Sequence, residues 1–235
     1  MKFIFQDAIV FEDDHFMVVN KPPYMATLED RNSPHNLQAF AKRHNEALSA
    51  CHRLDKETSG AVLFAKSDAA YRHASMQFEH RKIVKVYHAF VDGHHNFSDE
   101  LVDLPILPLK KGIVVVDYRK GKESSTTFST LETFKRHALI ECKPLTGRMH
   151  QIRVHLAKKD APIVNDELYG GKVLYLSSLK RNYKLKGETE EQPLIKRFAL
   201  HAKKLIFENF SEQVTVDADY PKDIAVLYKQ LIKNS

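Results

Sequence analysis

Short apolar runs of strand composition alternate with helix-patterned segments along this chain in no regular order. A doubly wound sheet needs a repeating strand–helix–strand rhythm, because each parallel crossover takes a helix. Its absence favours an α+β architecture. Ile4 to Val19 reads as two short strands about the acidic turn Glu12-Asp13-Asp14, stopped by Pro22-Pro23, which cannot continue a ladder. The breaker pair Ser33-Pro34 precedes a helix over Leu37 to Leu48, and Ala61 to Ala65 is a compact apolar strand. Ser67 offers an N-cap to a helix over Asp68 to Glu79, with Ala70, Ala74 and Phe78 at helical spacing.

Val84 to Asp92 and Ile113 to Tyr118 have strand composition, and the stretch between them, with Pro105 and Pro108, reads as a long exposed excursion. Ala138 to Lys143 shows an apolar face, Met149 to Lys159 suits a helix, and Leu194 to Phe210 contains a strand. Val214 to Asp217 is a short strand, and Pro221 opens a last helix with Ile224, Leu227 and Leu231 along one side. The basic stretch Lys180 to Gln192 reads as a surface loop. With no internal repeat and no low-complexity linker, residues 1–235 are expected to form one catalytic domain.

Thirty-six Lys and Arg against thirty Asp and Glu leave a formal charge of +6. A basic surface suits a polyanion, since cations set on phosphates release condensed counterions, though many basic proteins bind no nucleic acid. Cys51 and Cys142 stand far apart without CxxC spacing, which fits neither a disulfide framework nor a four-ligand zinc site. Thirteen histidines raise the question of a metal. His94, His95, His150, His155 and His201 show neither HExxH nor a paired Cys arrangement, so no metal site is expected. The start lacks a secretory pattern and no apolar run approaches a membrane span, so the default expectation is cytoplasmic, with no membrane partner.

The most informative segment is Cys51-His52-Arg53-Leu54-Asp55-Lys56-Glu57-Thr58-Ser59-Gly60, just before the Ala61 to Ala65 strand. It puts a carboxylate in a polar turn beside Arg53 and Lys56, where cations and donated hydrogen bonds favour the ionised form. Read alone, Asp55 is more readily an aspartate that merely caps its own turn.

The segment resembles the HRLD…TSG signature of the RluA-type RNA pseudouridine synthases, and the resemblance runs in order across most of the chain. Val19-Asn20-Lys21-Pro22 resembles the family's VNKP motif, and Lys85 to Ala89 its KxYxA strand. Leu145 to Leu156 resembles TGRxHQIRxHL; Pro162 to Val164 with Asp166 and Tyr169-Gly170 resembles PIVGDxxYG; Arg197 to Ala202 resembles RxxLHA. The resemblance implies a mixed, mostly antiparallel central sheet flanked by helices and loops, with an active-site cleft. It also implies isomerisation of uridine in structured RNA, either large-subunit ribosomal RNA or tRNA, without any cofactor.

By the same resemblance Asp55 is the catalytic aspartate, acting as a nucleophile at the ribose or as a base that starts glycosidic cleavage. Tyr87 packs against the target base and helps move the C5 proton, although a strand tyrosine is by itself ordinary core. Arg153 is the active-site arginine that pairs with the aspartate. Arg148, in the same motif, is second choice for that role and otherwise orders a phosphate or the loop. Ile152 and Leu200 are candidates for an apolar floor under the base, or plain core. Arg53, two residues before the carboxylate, is expected to fill the gap left by a flipped uridine or to clamp a flanking phosphate. His150 and His201 are expected to serve structural hydrogen bonds.

Two positions depart from the pattern: Asn165 stands where the family has Gly, and Met149 where it has Thr or Ser. Asn tolerates left-handed backbone best among the other residues, so the turn is expected to survive. The VNKP-like motif falls within the first twenty or so residues, so no N-terminal S4 domain is expected and a monomer is the default. RNA contact is then expected from insertions such as Leu101 to Ser125, with Lys110, Lys111, Arg119, Lys120 and Lys122, or else that stretch is a solvated basic hairpin. Two rival readings are a non-catalytic RNA-binding or ribosome-assembly factor on the same fold, and a carboxylate glycosidase. The second would need another acid, where the motifs offer Tyr and Arg.

Overall fold

The strand that follows Thr58 is buried at every residue, so the sheet around it has to be covered on both faces. The structure is a computed structural model that describes residues 3–29, 35–181, 183–184 and 190–235. In chain order it forms β1 (Ile9–Glu12), β2 (Phe16–Lys21), α1 (Leu37–His44), β3 (Ser49–Ala50), β4 (Ser59–Ala65), α2 (Asp68–Glu79), β5 (Val84–Asp92), β6 (Glu100–Asp103), β7 (Ile106–Pro108) and β8 (Val114–Val116). There follow β9 (Ser125–Thr133), β10 (His137–Pro144), α3 (Gln151–Lys158), α4 (Leu176–Leu179), β11 (Leu200–Glu208), β12 (Gln213–Asp217) and α5 (Lys222–Lys233). The class is α+β with mostly antiparallel pairing; β4 and β11 run parallel. The chain divides into two compact units, Met1–Tyr87 with His201–Asp219, and His88–Leu200 with Tyr220–Ser235.

In the first unit the strands neighbour one another in the order β1-β2-β4-β11, with β3 on β4 and β12 on β11. Alternation along β2 and β4 separates two apolar layers. Phe16, Val18, Ala61, Leu63 and Ala65 pack with Ala70 and Ala74 of α2. Met17, Val19, Val62 and Phe64 pack with Leu37 and Ala41 of α1. Ser67 caps α2 as expected, accepting the Ala70 N–H at 3.2 Å. The expected breaker pair Ser33-Pro34 lies outside the described residues; α1 is capped by Asn36, which accepts the Ala39 N–H at 2.8 Å. That helix ends at His44, short of Leu48, because Asn45 turns to extended backbone.

In the second unit β9 pairs antiparallel with both β10 and β6, and β7 with β8. The stretch expected as an exposed excursion is therefore partly sheet, with Ile106 buried against Val114 and Val154. Pro105 falls between β6 and β7, and Pro108 ends β7. Ile224, Leu227 and Leu231 form the buried side of α5. Among the described residues no helix is long and apolar enough to cross a membrane.

Candidate active site

The turn carrying Asp55 has no regular structure, yet it is tied down at almost every residue. The Cys51 N–H donates to Leu63 O at 2.8 Å, and the Leu63 N–H donates to His52 Nε2 at 3.0 Å. The Thr27 hydroxyl accepts the Leu54 N–H at 3.0 Å and donates to Leu54 O at 3.1 Å. The Thr58 N–H closes on Asp55 O at 3.1 Å. Lys21 is fully buried, and its ammonium donates to Met25 O at 2.7 Å, Pro22 O at 3.1 Å and Lys56 O at 3.2 Å. Three carbonyls around a buried cation offset part of its desolvation. Asp55 itself is half-buried, and Arg53 is exposed.

Thr58, Ser59 and Gly60 have separate physical duties. Ser59 Oγ lies 2.9 Å from His201 Nδ1, and His201 Nε2 lies 3.1 Å from Ala218 O. With Nε2 donating to the carbonyl, Nδ1 accepts from the serine. A Cβ on Gly60, whose φ is +120°, would fall 2.2 Å from Ala202 O, so the close approach of β4 to β11 demands glycine. Tyr87, near the middle of β5, packs half-buried against the cluster that contains Leu54 and Ala202. Burial pushes the Lys85 ammonium down to about 8. Burial first, and the Lys85 charge second, push the His52 imidazole down to about 3, which suits a ring nitrogen that accepts a backbone N–H.

The other motif residues lie in the second unit. Gln151, the first residue of α3, folds the preceding loop around its amide: Oε1 accepts from Thr146 Oγ1 at 2.6 Å and from the Arg148 N–H at 3.0 Å. Its Nε2 donates to Ser125 O at 2.9 Å and Thr126 Oγ1 at 3.0 Å. His150 enters the helix with φ +54°, a left-handed backbone that costs of order 1–3 kcal/mol in a residue with a Cβ. Its Nδ1 lies 2.9 Å from Tyr169 Oη, which also accepts the Val114 N–H at 3.0 Å. The expected structural roles of His150 and His201 are thus present.

Arg153 is buried in α3 and forks onto Asp166, Nε to Oδ2 at 2.7 Å and Nη2 to Oδ1 at 2.6 Å. Its guanidinium lies 4.1 Å from the Phe198 ring centroid and 4.8 Å from that of Tyr169. Such a charge-assisted fork fixes orientation as well as energy. Asp166 belongs to a tight loop in which Asn165 takes φ +65°, the left-handed turn expected of it, and in which a Cβ on Gly171 would meet Ile163 O at 1.9 Å. Ile152 is buried beside Arg153, Arg148 is exposed with Nε 3.4 Å from Glu123 O, and Leu200 is buried at the start of β11.

Sequence reasoning passed over three residues: Thr27, and the roles of Lys21 and Asp166 as anchors. Lys21 and Asp166 carried a motif signal; Thr27 carried none. Among the described residues no group of three or more His, Cys, Asp or Glu is gathered to hold a metal.

A model of the RNA pseudouridylate synthase family matches residues 15–158. The ribosomal large subunit pseudouridine synthase C of Vibrio vulnificus is 38% identical over 168 residues, 70% of this chain and 53% of that protein. The dual-specificity RNA pseudouridine synthase RluA of Escherichia coli is 36% identical over 171 residues, 69% of this chain and 76% of that one. The chain thus spans only about half the length of the first of these relatives. Among solved structures, human RNA pseudouridylate synthase domain containing 1 superposes with a TM-score of 0.69 at 27% identity, covering 91% of this chain and 83% of that one.

Proposed function

The chain belongs to the RNA pseudouridylate synthase family, and from that premise we propose that it converts uridine in structured RNA to pseudouridine with Asp55 as the essential carboxylate. The observation that carries this reading is the Asp55 turn, whose backbone is held by Leu63 at Cys51, by Thr27 at Leu54 and by Lys21 at Lys56, with the His52 and Ser59 side chains tied to Leu63 and His201. A carboxylate on so restrained a backbone is preorganised for attack or proton transfer.

The reaction breaks the bond from N1 to C1′, turns the uracil, and joins C5 to C1′. The C5 proton leaves and N1 takes one up, so no electrons are exchanged and no group is lost. Asp55 opens the sequence, as a nucleophile at C1′ or as the base that starts glycosidic cleavage. Tyr87 stacks on the flipped uracil and carries the C5 proton. Arg153 serves as the cation that keeps the carboxylate ionised, with Ile152 and Leu200 as apolar floor. Arg53 takes a flanking phosphate or the space the base vacates, and Arg148 orders a phosphate or its own loop. The names of the relatives favour large-subunit ribosomal RNA over tRNA. A monomer acting in the cytoplasm, with the basic 101–125 segment touching RNA, completes the reading.

RNA carrying tritium at uridine C5 tests it. The wild-type protein should release tritium to water and Asp55→Asn should release none. Equal release by both would remove Asp55 from the mechanism.

A further inference from the structure

The second unit contains a cavity of about 260 Å3 that the mechanism above does not use. It has room for a group far larger than a water, whose share of liquid volume is about 30 Å3. Lys135 and Arg136, in the turn between β9 and β10, line one side; Lys180 and Arg181, just past α4, line another. Among the described residues no carboxylate lines it. Among the described residues none of these four side chains forms an ion pair.

Leu179 and Leu231 add apolar surface to the lining, and Ser177, Ser178 and Asn234 add neutral donors, one hydrogen of the Asn234 amide going to Gln230 O at 2.6 Å. His137 also lines the cavity, with a buried Nδ1 that has no partner among the described residues. Two acids stand behind this lining. Glu191 accepts the Ser177 N–H at 2.8 Å, and Asp92 lies 3.5 Å from His137 Nε2 while accepting the Lys172 N–H at 2.8 Å.

Four like charges in one concavity concentrate a positive potential that an anion relieves. The chemistry of that anion follows from what the lining lacks. Both rings among its described lining residues, Phe134 and His137, are buried, so neither presents a face for a nucleobase to stack upon. Cations and small donors without a stacking face suit a phosphate. We infer that this cavity holds a backbone phosphate of the RNA substrate. The inference rests on the RNA-modifying reading above. It gives the second unit a grip on the RNA that carries no sequence preference of its own.

The test compares Arg136→Gln/Arg181→Gln with an equal loss of charge elsewhere, Lys42→Gln/Arg72→Gln, all four being exposed side chains. Binding of a fluorescent mixed-sequence RNA hairpin is measured across a salt series. The cavity variant should bind about tenfold more weakly at low salt, and its log–log salt slope should be shallower by about 0.7–0.9, the loss of one phosphate contact. The control variant should shift the affinity by less than about twofold. Unchanged affinity and slope in the cavity variant overturn the inference. Inorganic phosphate is titrated separately and followed by 31P NMR. If it binds the wild type and not the cavity variant while RNA affinity is equal in both, the cavity is a site for free phosphate and the RNA assignment falls. Turnover of the same RNA by Asp55→Asn separates the two readings: a cavity without effect on RNA, in a protein whose Asp55→Asn form binds RNA but makes no product, is a failure of this inference alone.

Discussion

The side-chain hydroxyl of Thr27 meets both backbone polar groups of Leu54, accepting the amide hydrogen at 3.0 Å and donating to the carbonyl at 3.1 Å. Both residues are buried, and Leu54 immediately precedes Asp55. Thr27→Val keeps the shape and leaves those two groups unsatisfied, at about 1–3 kcal/mol each. The expected result is a lower denaturant midpoint and a single-turnover rate reduced about tenfold or more, with RNA affinity retained; Thr27→Ser should behave like wild type. A destabilised Thr27→Val that still turns over at the full rate would leave Thr27 a purely structural residue.

Arg153 and Asp166 form a fork with side chains only 7% and 1% exposed. Asp166→Ala strands a buried guanidinium and should cost about 3–5 kcal/mol. The double variant Arg153→Met/Asp166→Leu replaces the pair with apolar groups and should regain most of that stability. Turnover should stay absent in it, because the reading gives Arg153 a part in the reaction. Stability and turnover restored together would reduce Arg153 to a packing residue.

Arg53 is exposed, so Arg53→Ala should leave the thermal midpoint within about 1–2 °C of wild type, as surface changes generally do. RNA affinity should nevertheless fall. Filter binding and a melting curve on the same preparation check both halves. Undiminished affinity would count against a role in filling the gap of a flipped base.

Burial holds the His52 imidazole near 3, below its ordinary 6.5. The unfolded chain therefore binds a proton below pH 6.5 that the folded chain refuses. His52 adds no pH dependence above 6.5, and below it costs about 1.4 kcal/mol of stability per pH unit until the folded ring itself protonates. Lys85, depressed to about 8, changes protonation only at higher pH and does not contribute to this slope. His52→Gln keeps an acceptor for the Leu63 N–H and should flatten the acid side of the stability curve between pH 6.5 and 4. An unchanged slope would assign acid lability to other groups, such as His155, which burial also holds down.

Much of this arrangement could be read from local pattern. Ser67 and the spacing of Ala70, Ala74 and Phe78 defined α2 at both ends, and the apolar composition of Val84 to Asp92 defined β5. Strand β9 escaped notice because its positions are mostly polar and show no apolar alternation; only the fold buries Thr126 and Phe128 on one side. The stretch between Val84–Asp92 and Ile113–Tyr118 reads as irregular because its prolines look like breakers, whereas Pro105 lies between two short strands and Pro108 ends the second of them. The motif residues were legible as a set, but not the partners that hold them. Nothing in a sequence joins Thr27 to Leu54, or His201 to Ser59 across 142 positions, until the strands are paired. The cavity lined by Lys135, Arg136, Lys180 and Arg181 was invisible for the same reason, its cations coming from separate turns.

The account stands or falls on Asp55, and the most direct measurement is a map of pseudouridine across all RNA from cells lacking this protein, complemented with wild type or with Asp55→Asn. The account predicts at least one site that disappears on deletion, returns with wild type and stays absent with Asp55→Asn at equal protein level. A site restored equally by Asp55→Asn would contradict it.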